Sequence, residues 1–242
     1  WRGVANPLLA LPHQPAPSSG AALTLEADAE ALLLKLSDRD DRKKLRQKST
    51  KLAAFGDIRT GWAETEADIR AALESYLGWK ASQFASLGIA DPFAEAGIRA
   101  FLTRAALAPE PAIRLFTLHA GEKLVAVLGG ATGGCAFSGM FTAYDPEPAI
   151  ARQSPGEILI VALIRALVAE GYTLFDLGVG EARYKAHYCP ECIDLFDVSL
   201  PVTLAGQIAA QGWLMKQRAK RAIKQNEAAF ALIKRARQVF AR

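Results

Sequence analysis

The spacing of apolar residues predicts helices in the first half of the chain. From Glu26, one helix is predicted to pass through the charged run DRDDRKKLRQKSTKLAAFG and to stop at Gly56, after which a short strand begins. Apolar residues at helical spacing predict a second helix after Thr65 and a third after Asp91 and Pro92. The first half of the chain therefore supplies helices that can cover a sheet.

Alternation of apolar and polar positions predicts strands after Pro111. The segments AIRLFTLHA (112–120), KLVAVLGGA (123–131) and CAFSGMFTAY (135–144) are separated by short loops, which is typical of an antiparallel meander. An almost wholly apolar helix follows, SPGEILIVALIRALVAEG, and then the strand YTLFDLG, the short helix EARYKAHY and the strand DLFDVSLPV. This order predicts an α+β fold in which helices flank a mixed central sheet.

The two ends of the chain differ in composition from this predicted domain, which covers residues 25–205. Residues 1–24 are rich in Pro, Ala and Ser and lack periodicity, so an irregular segment is expected there. The first residue is Trp1 rather than Met, and we therefore expect a further region upstream. Residues 206–242 are predicted to form a basic amphipathic helix.

Composition and charge are those of an ordinary globular protein. Of the 242 residues, 51% are hydrophobic and 22% are charged, and the formal net charge of +4 favours anionic partners without specifying one. The charge-free run from Leu124 to Tyr144 contains two glycine pairs flanked by β-forming residues. It therefore predicts two buried strands rather than a membrane-spanning helix.

Two familiar motifs in the second half of the chain are discounted. Cys189 and Cys192 are spaced as C-x-x-C, but Cys135 lies far away in sequence and a second pair is missing, so we expect no metal site. The G-x-G at residues 178–180 lacks the third glycine of a dinucleotide-binding fingerprint. An odd and sparse set of cysteines indicates a reducing compartment, and we expect a cytoplasmic protein.

The predicted helix start at Ser154 has features of an anion-binding site. The sequence from Ser154 to Glu157 fits the S-x-x-E capping box, with Pro155 in the first helical position. Gly156 leaves backbone amides uncovered at the positive end of the helix dipole, and Arg152 lies just upstream. The carboxylate of Glu157 would compete with an anion for the same amides, so a well-capped core helix is the alternative interpretation.

Two motifs, together with the order of elements, indicate a family. These motifs are Ser154-Pro155-Gly156 at a helix start and, about twenty residues later, Phe175-Asp176 at a strand end, then a glycine and Tyr184-Lys185. In this order they resemble the CelD/BcsL-type branch of the GNAT acyltransferase superfamily, which is related to the FemAB-like aminoacyl transferases. The basic helix around KKLRQKSTKL also resembles the start of that domain, and the similarity covers about residues 35–200.

The resemblance implies a GNAT-like acyltransferase that uses acyl-CoA as co-substrate and an amine, less often a hydroxyl, as acceptor. The pyrophosphate loop of the superfamily reads Arg/Gln-x-x-Gly-x-Gly/Ala. Gln153 and Gly156 match its first two fixed positions, whereas Ile158 replaces the final small residue. The residues implied to bind the cofactor are Arg152, Gln153, Ser154, the amides of Gly156 and Glu157, and Lys185, for which anchoring a loop is the alternative.

Acyl transfer to an amine requires a base for the amine, a donor to the thioester carbonyl and a proton for the departing thiolate. Tyr184 is predicted to be the general acid, because a phenol is neutral at pH 7, and ordinary packing is its alternative role. Asp176 is predicted to be the base, directly or through water, or else to cap the next turn. His187 is a further base candidate and Glu181 a weaker one.

The two basic stretches leave the partner open. Basic residues cluster at residues 42–51 and 216–237, and solvated helix faces are their simplest explanation. Alternatively, the C-terminal helix contacts an anionic membrane at its inner face, which would fit a lipid-linked amine acceptor as well as a small-molecule one. The sequence contains no motif for reading a specific nucleic acid.

Three functions remain open at this point. The first is acyl transfer from acyl-CoA, which family association links to extracellular polysaccharide, including cellulose, or envelope biosynthesis. The second is FemAB-like aminoacyl transfer from aminoacyl-tRNA, favoured by the basic helices. The third is a non-catalytic GNAT-like binding module, favoured by Ile158 and the competing carboxylate of Glu157.

Overall fold

The computed structural model describes residues 6–180 and 183–226. The chain divides into two compact units: the larger is Ala21–Glu191, and the smaller combines Trp1–Gly20 with Cys192–Arg242. The strands, numbered in chain order, are β1 (His13–Pro15), β2 (Gly20–Thr24), β3 (Ile58–Trp62), β4 (Ile113–Ala120), β5 (Lys123–Gly133), β6 (Ala136–Tyr144), β7 (Leu174–Val179), β8 (Glu191–Ile193) and β9 (Phe196–Val198). The helices are α1 (Ala29–Leu36), α2 (Arg39–Leu52), α3 (Glu66–Ser86), α4 (Ala96–Ala106), α5 (Pro148–Ala151), α6 (Pro155–Ala169), α7 (Arg183–Tyr188) and α8 (Leu204–Gln225).

One mixed sheet contains seven strands in the order β3-β4-β5-β6-β7-β2-β8. Strands β3 to β6 pair antiparallel, which confirms the predicted meander, and β7 pairs parallel to β6. The parallel ladder runs only from Ala136 and Leu174 to Ser138 and Asp176. Beyond Ser138 and Asp176, the two strands continue without pairing to each other, so the ladder stops at this end of the sheet.

A register shift between Gly129 and Gly130 interrupts the pairing of β5 with β6. Gly129 pairs with Phe141 and Gly130 with Gly139, so Met140 is an extra residue on β6. Such a bulge bends its strand and leaves the extra residue outside the ladder. The bulge follows directly on the point where β6 and β7 stop pairing.

Two apolar clusters cover opposite faces of the sheet. Along β4, Phe116 and Leu118 belong to one cluster and Ile113 and Leu115 to the other, because successive side chains of a strand point to opposite faces. The first cluster includes residues of α1, α2 and α6, and the second includes residues of α3 and α4. This arrangement confirms the prediction of a mixed sheet flanked by helices.

The prediction of one helix from Glu26 to Gly56 is wrong, because α1 and α2 are separate helices. The backbone of Ser37 is extended, and the side chain of Asp38 accepts a hydrogen bond from the amide of Asp41 at 2.8 Å. An aspartate that caps a new helix in this way stabilises a break in the chain of helical residues.

Two short strands differ from the prediction for the first 24 residues. Residues 1–24 contain β1 and β2, whereas an irregular segment was expected there. Neither strand has more than five residues, and β2 lies beside β7 in the sheet, about 150 residues further along the chain. Local sequence pattern therefore carries little information about them.

The smaller unit contains a buried glutamine that joins a strand to a helix. Strands β1 and β9 pair antiparallel. Between them and α8, the Gln14 side chain donates to the Leu214 carbonyl at 3.2 Å and accepts from the Arg218 guanidinium at 2.8 Å. Helix α8 begins after Thr203, close to the predicted start. Across the described part of the chain, no helix combines the length and the apolar character needed to span a bilayer.

Candidate active site

Helix α6 begins at Pro155, as predicted, but Ser154 does not cap it with its side chain. Ser154 has φ 51° and ψ 53°, which makes it the one non-glycine with a left-handed backbone among the described residues. Its hydroxyl accepts a hydrogen bond from the ammonium of Lys48 at 2.7 Å. The capping-box prediction is therefore wrong, because the hydroxyl is engaged by a cation instead of a helix amide.

The backbone amides of this helix start are only partly free. The carbonyl of Ser154 accepts from the amides of Glu157 and Ile158, at 3.0 and 3.2 Å. The amide of Gly156 forms no backbone hydrogen bond within residues 6–180 and 183–226. Of the two amides predicted to bind pyrophosphate, the structure therefore leaves that of Gly156 available and engages that of Glu157.

A groove of about 890 Å³ lies between α2, α6 and α7. The residues of its wall that matter here are Arg46, Lys48, Glu157, Arg165, Tyr184 and His187. Arg165 is paired with Glu30 at 2.5 Å. Arg46 and Lys48 have no carboxylate within ion-pair distance among the described residues. The groove therefore offers two positive charges next to the start of α6, although the carboxylate of Glu157 also faces it.

Arg152 and Gln153 are not part of this groove. The Gln153 side chain donates to the carbonyl of Ala149 at 3.2 Å, and the Arg152 side chain is exposed. Neither residue lines either of the two cavities described here. Their predicted contact with the cofactor thus stays a prediction. The cation that contacts Ser154 is Lys48 of α2 and not Arg152, which lies just upstream in the sequence.

A second cavity, of about 380 Å³, lies beside α3, β6 and α7. Its wall includes the bulge residue Met140, several aromatic side chains, Lys80 of α3 and Lys185 of α7. Tyr184 lines both this cavity and the groove. Tyr184 is therefore a wall residue that the groove, on the α6 side, and the second cavity, on the α3 side, have in common.

Tyr184 is half-buried and packs against the apolar cluster under α6. Burial, and after it the neighbouring Cys189, raise the pKa of the Tyr184 phenol. The phenol is consequently protonated at neutral pH and can donate a hydrogen bond or a proton.

Asp176 and Lys185 both hold the turn that follows β7. The Asp176 carboxylate accepts from the amide of Gly178 at 2.6 Å, and the Lys185 ammonium donates to the carbonyls of Leu177 and Val179 at 2.7 and 3.0 Å. Burial lowers the pKa of Lys185, and the negative charge of Asp176 counteracts this only in part. These contacts correspond to the capping and loop-anchoring alternatives, and Asp176 lines neither cavity.

His187 lines the groove, with its ring edge-on to Tyr188 at a centroid distance of 4.6 Å. Burial, followed by the charges of Glu157 and Asp41, raises the pKa of Tyr188 to about 12. His187 therefore lies on the α6 side of Tyr184. Glu181, the other base candidate, lies outside the described residues.

The two cysteines of the C-x-x-C motif belong to different units. Cys189 is buried within the larger unit, and burial raises the pKa of its thiol to about 12. Cys192 is exposed and belongs to the smaller unit. In the described part of the chain, no group of three or more His, Cys, Asp or Glu side chains is arranged to hold a metal ion.

Comparison with known proteins assigns the chain to a family. Residues 39–186, more than half of the chain, match the family model described as acetyltransferase (GNAT) domain. No curated protein matches the sequence. The matched region extends from the first residue of α2 into α7 and includes most of the groove wall, the start of α6 and Tyr184.

Two solved structures illustrate the shared fold. A conserved protein of unknown function from Bacteroides thetaiotaomicron is 14% identical, with a TM-score of 0.54 over 76% of this chain and 60% of that protein. FemX is 10% identical, with a TM-score of 0.52 over the same two shares. The chain thus spans about 60% of the length of these structures, and the likeness concerns the fold.

Proposed function

Because the chain belongs to the acetyltransferase (GNAT) domain family, we propose that it transfers an acyl group from acyl-CoA to an amine acceptor. The observation that supports this most strongly is the position of Tyr184, which lines both the groove and the second cavity. A thioester in the groove and an amine in the cavity would meet at this side chain. The β6–β7 ladder ends at Ser138 and Asp176, and the two substrates are proposed to meet beyond that point.

The start of α6 is proposed to bind the pyrophosphate of the donor. The Gly156 amide lies at the positive end of the helix dipole, and Lys48 and Arg46 add two charges beside it. The left-handed backbone of Ser154 costs about 1–2 kcal/mol. Strain of this kind is concentrated at functional sites, where it positions a contact such as that of Ser154 with Lys48.

The reaction follows from this placement. The amine nitrogen attacks the thioester carbon, a C–N bond forms and the C–S bond breaks, and the CoA thiolate takes the proton of Tyr184. The amide of Met140 at the bulge is proposed to donate to the carbonyl oxygen as charge develops there. No carboxylate or imidazole among the described residues lines the second cavity, so the amine releases its proton to water, and the Tyr184 phenolate regains its proton from solvent.

The resemblance to the CelD/BcsL type supports an acceptor used in polysaccharide or envelope biosynthesis. Peripheral contact with an anionic membrane is part of the same proposal: the described part of α8 contains no acidic residue, and Leu204, Ile208 and Met215 are exposed. Co-sedimentation with vesicles of phosphatidylglycerol checks this contact, and equal sedimentation with neutral phosphatidylcholine vesicles would contradict it.

Aminoacyl transfer from aminoacyl-tRNA is the second candidate, supported by the unpaired cations of α2. The two donors differ in the salt dependence of binding, because tRNA contacts many phosphates whereas CoA contacts few. Tight tRNA binding that weakens steeply with salt, in the absence of CoA binding, would replace the first proposal by the second.

Calorimetry with CoA and acetyl-CoA tests the donor directly. We expect Lys48→Met to weaken CoA binding about tenfold, because a charge-assisted contact is lost. Lys51→Met removes the same charge from an exposed position of the same helix, outside the groove, and is expected to bind CoA normally. Absence of CoA binding by the unaltered protein, or equal losses in both variants, would contradict the proposal.

A further inference from the structure

The second cavity has an aromatic wall that suits an apolar body. Its rings are those of Tyr76, Phe84, Phe93, Phe141 and Tyr184. Tyr76 packs against Phe141 and Phe93 with ring centroids 4.5 and 5.4 Å apart, so the wall is a connected set of rings. The volume of about 380 Å³ is typical of a pocket for a small molecule.

Lys80 is a half-buried cation in this wall without an anionic partner. Its ammonium donates to the neutral side-chain oxygen of Gln83 at 3.1 Å. Burial lowers the pKa of Lys80, which reflects the cost of holding a charge there. No carboxylate lines the cavity among the described residues, and Lys185, the other lysine of the wall, is engaged by backbone carbonyls. An anionic group bound near Lys80 would offset that cost.

Tyr76 adds a second polar group that lacks a partner. Its side chain is 1% exposed, and its hydroxyl makes no hydrogen bond within the described part of the chain. The hydroxyl is not among the fully buried polar atoms without a partner, so it is accessible from the cavity and can donate a hydrogen bond to a ligand there. Burial, and after it the charge of Asp91, raise the pKa of Tyr76, which keeps the hydroxyl as a donor. Asp91 itself accepts from the amide of Phe93 at 2.8 Å.

Tyr76 and Lys80 are four residues apart on α3, and residues at this spacing share one face of a helix. Both are donors, and both line the same cavity as Tyr184. We propose that this cavity binds the acceptor and selects a small amine that carries an apolar body and an anionic group, the anion contacting Lys80 and Tyr76 and the amine facing Tyr184. This inference rests on the proposed acyl transfer, and it adds the substrate class.

Matched acceptors test the selection. Acetyl transfer from acetyl-CoA is measured with phenylalanine, its aminophosphonate analogue and phenethylamine, which share an aromatic body and an amine but differ in the anion. We expect one of the two anionic amines to exceed phenethylamine about tenfold or more in kcat/KM, and the better of the two identifies carboxylate or phosphonate as the preferred group. Similar values for all three amines would overturn the proposal.

Variants locate the selection at α3. Lys80→Met is expected to lower kcat/KM for the anionic amine about tenfold and so to abolish its preference over phenethylamine, and Tyr76→Phe to reduce that preference several-fold. Arg70→Met, which removes an exposed charge from the same helix, and Tyr172→Phe, at a tyrosine that lines neither the groove nor the second cavity, are expected to keep the preference. An equal loss with all acceptors in Lys80→Met, with CoA affinity and melting temperature unchanged, would overturn the assignment of the anion to Lys80.

A binding measurement separates this inference from the proposed function. Calorimetry of the free protein with phenylalanine and its aminophosphonate analogue, without CoA, reports on the cavity alone, whereas calorimetry with CoA reports on the groove. If the protein binds the amines but not CoA, the donor proposal is refuted and the cavity remains an anion-selective pocket. If neither amine binds, the acceptor assignment is overturned. It is also overturned if Tyr76→Phe changes how the rate depends on the length of the acyl chain but does not change how it depends on the acceptor.

Discussion

Tyr184 lies where the donor and the acceptor are proposed to meet, so its protonation sets the pH dependence of the reaction. Its pKa is raised above the usual 10.0, chiefly by burial. A general acid with a raised pKa keeps its proton until the pH passes that higher value, so its alkaline loss of activity begins above about pH 10. The acceptor ammonium, by contrast, must lose its proton before it can attack.

From about pH 6 to about pH 10, we therefore expect kcat/KM to rise and then level off, without a decline. The pH–rate profile of the unaltered protein with acetyl-CoA and an excess of acceptor measures this. A decline between about pH 7 and about pH 9 would mean that the required acid has a lower pKa than a buried phenol, and it would assign the role to another group.

The candidate site residues that the sequence indicates lie close together along the chain, and their roles stay predictions. Ser154, Gly156 and Tyr184 belong to one helix start and the strand–helix unit after it, so a local motif contains them. Lys48 lies 106 residues before Ser154 in the chain, and its contact depends on how α2 packs on α6. From the sequence, Tyr76 is likewise predicted to be an ordinary core residue of α3. Only the fold shows that it lines a cavity.

At the scale of elements, β5 depends on two adjacent glycines. A Cβ at Gly130 would lie 2.5 Å from the ring of Phe137 and 2.6 Å from the carbonyl oxygen of Ser138. At Gly129, it would lie 2.2 Å from the ring of Phe141, which lines the second cavity. The bare backbone therefore makes room for the rings of the neighbouring strand.

Gly130→Ala is expected to lower the free energy of unfolding by about 1–3 kcal/mol. The added methyl group would push the Phe137 ring and the Ser138 carbonyl of β6 away from β5. Gly133→Ala is the matched control on the same strand, since a Cβ there meets nothing within 4 Å. Urea unfolding of both variants measures the difference. Equal stabilities would contradict the close packing of β5 against β6.

Which elements the sequence predicted depends on their length and on the range of their contacts. The meander β4–β6 and helix α6 were predicted because alternation and apolar content are local signals. The break between α1 and α2 was missed because an aspartate in a charged run indicates a cap only once its backbone conformation is known. The short strands β2 and β8 were missed because distant pairing defines them.

In the larger unit as a whole, the groove and the second cavity are separate, and Tyr184 lines both of them. The groove lies on the side of α1, α2 and α6, and the cavity lies beside α3. The ladder between β6 and β7 ends at Ser138 and Asp176, next to Gly139 and Leu177 in the wall of the second cavity. Residues 39–186, which match the GNAT family model, contain α2, α3, α6 and Tyr184.

The central claim is that Tyr184 donates a proton to the departing thiolate of a bound acyl-CoA. The most direct measurement is the single-turnover rate of acyl transfer, together with the acyl-CoA dissociation constant, for Tyr184→Phe and for Tyr172→Phe as control. The account predicts unchanged acyl-CoA binding in both variants and a rate that falls about 10²- to 10⁴-fold in Tyr184→Phe alone. An unchanged rate in Tyr184→Phe, with acyl-CoA bound normally, would contradict it.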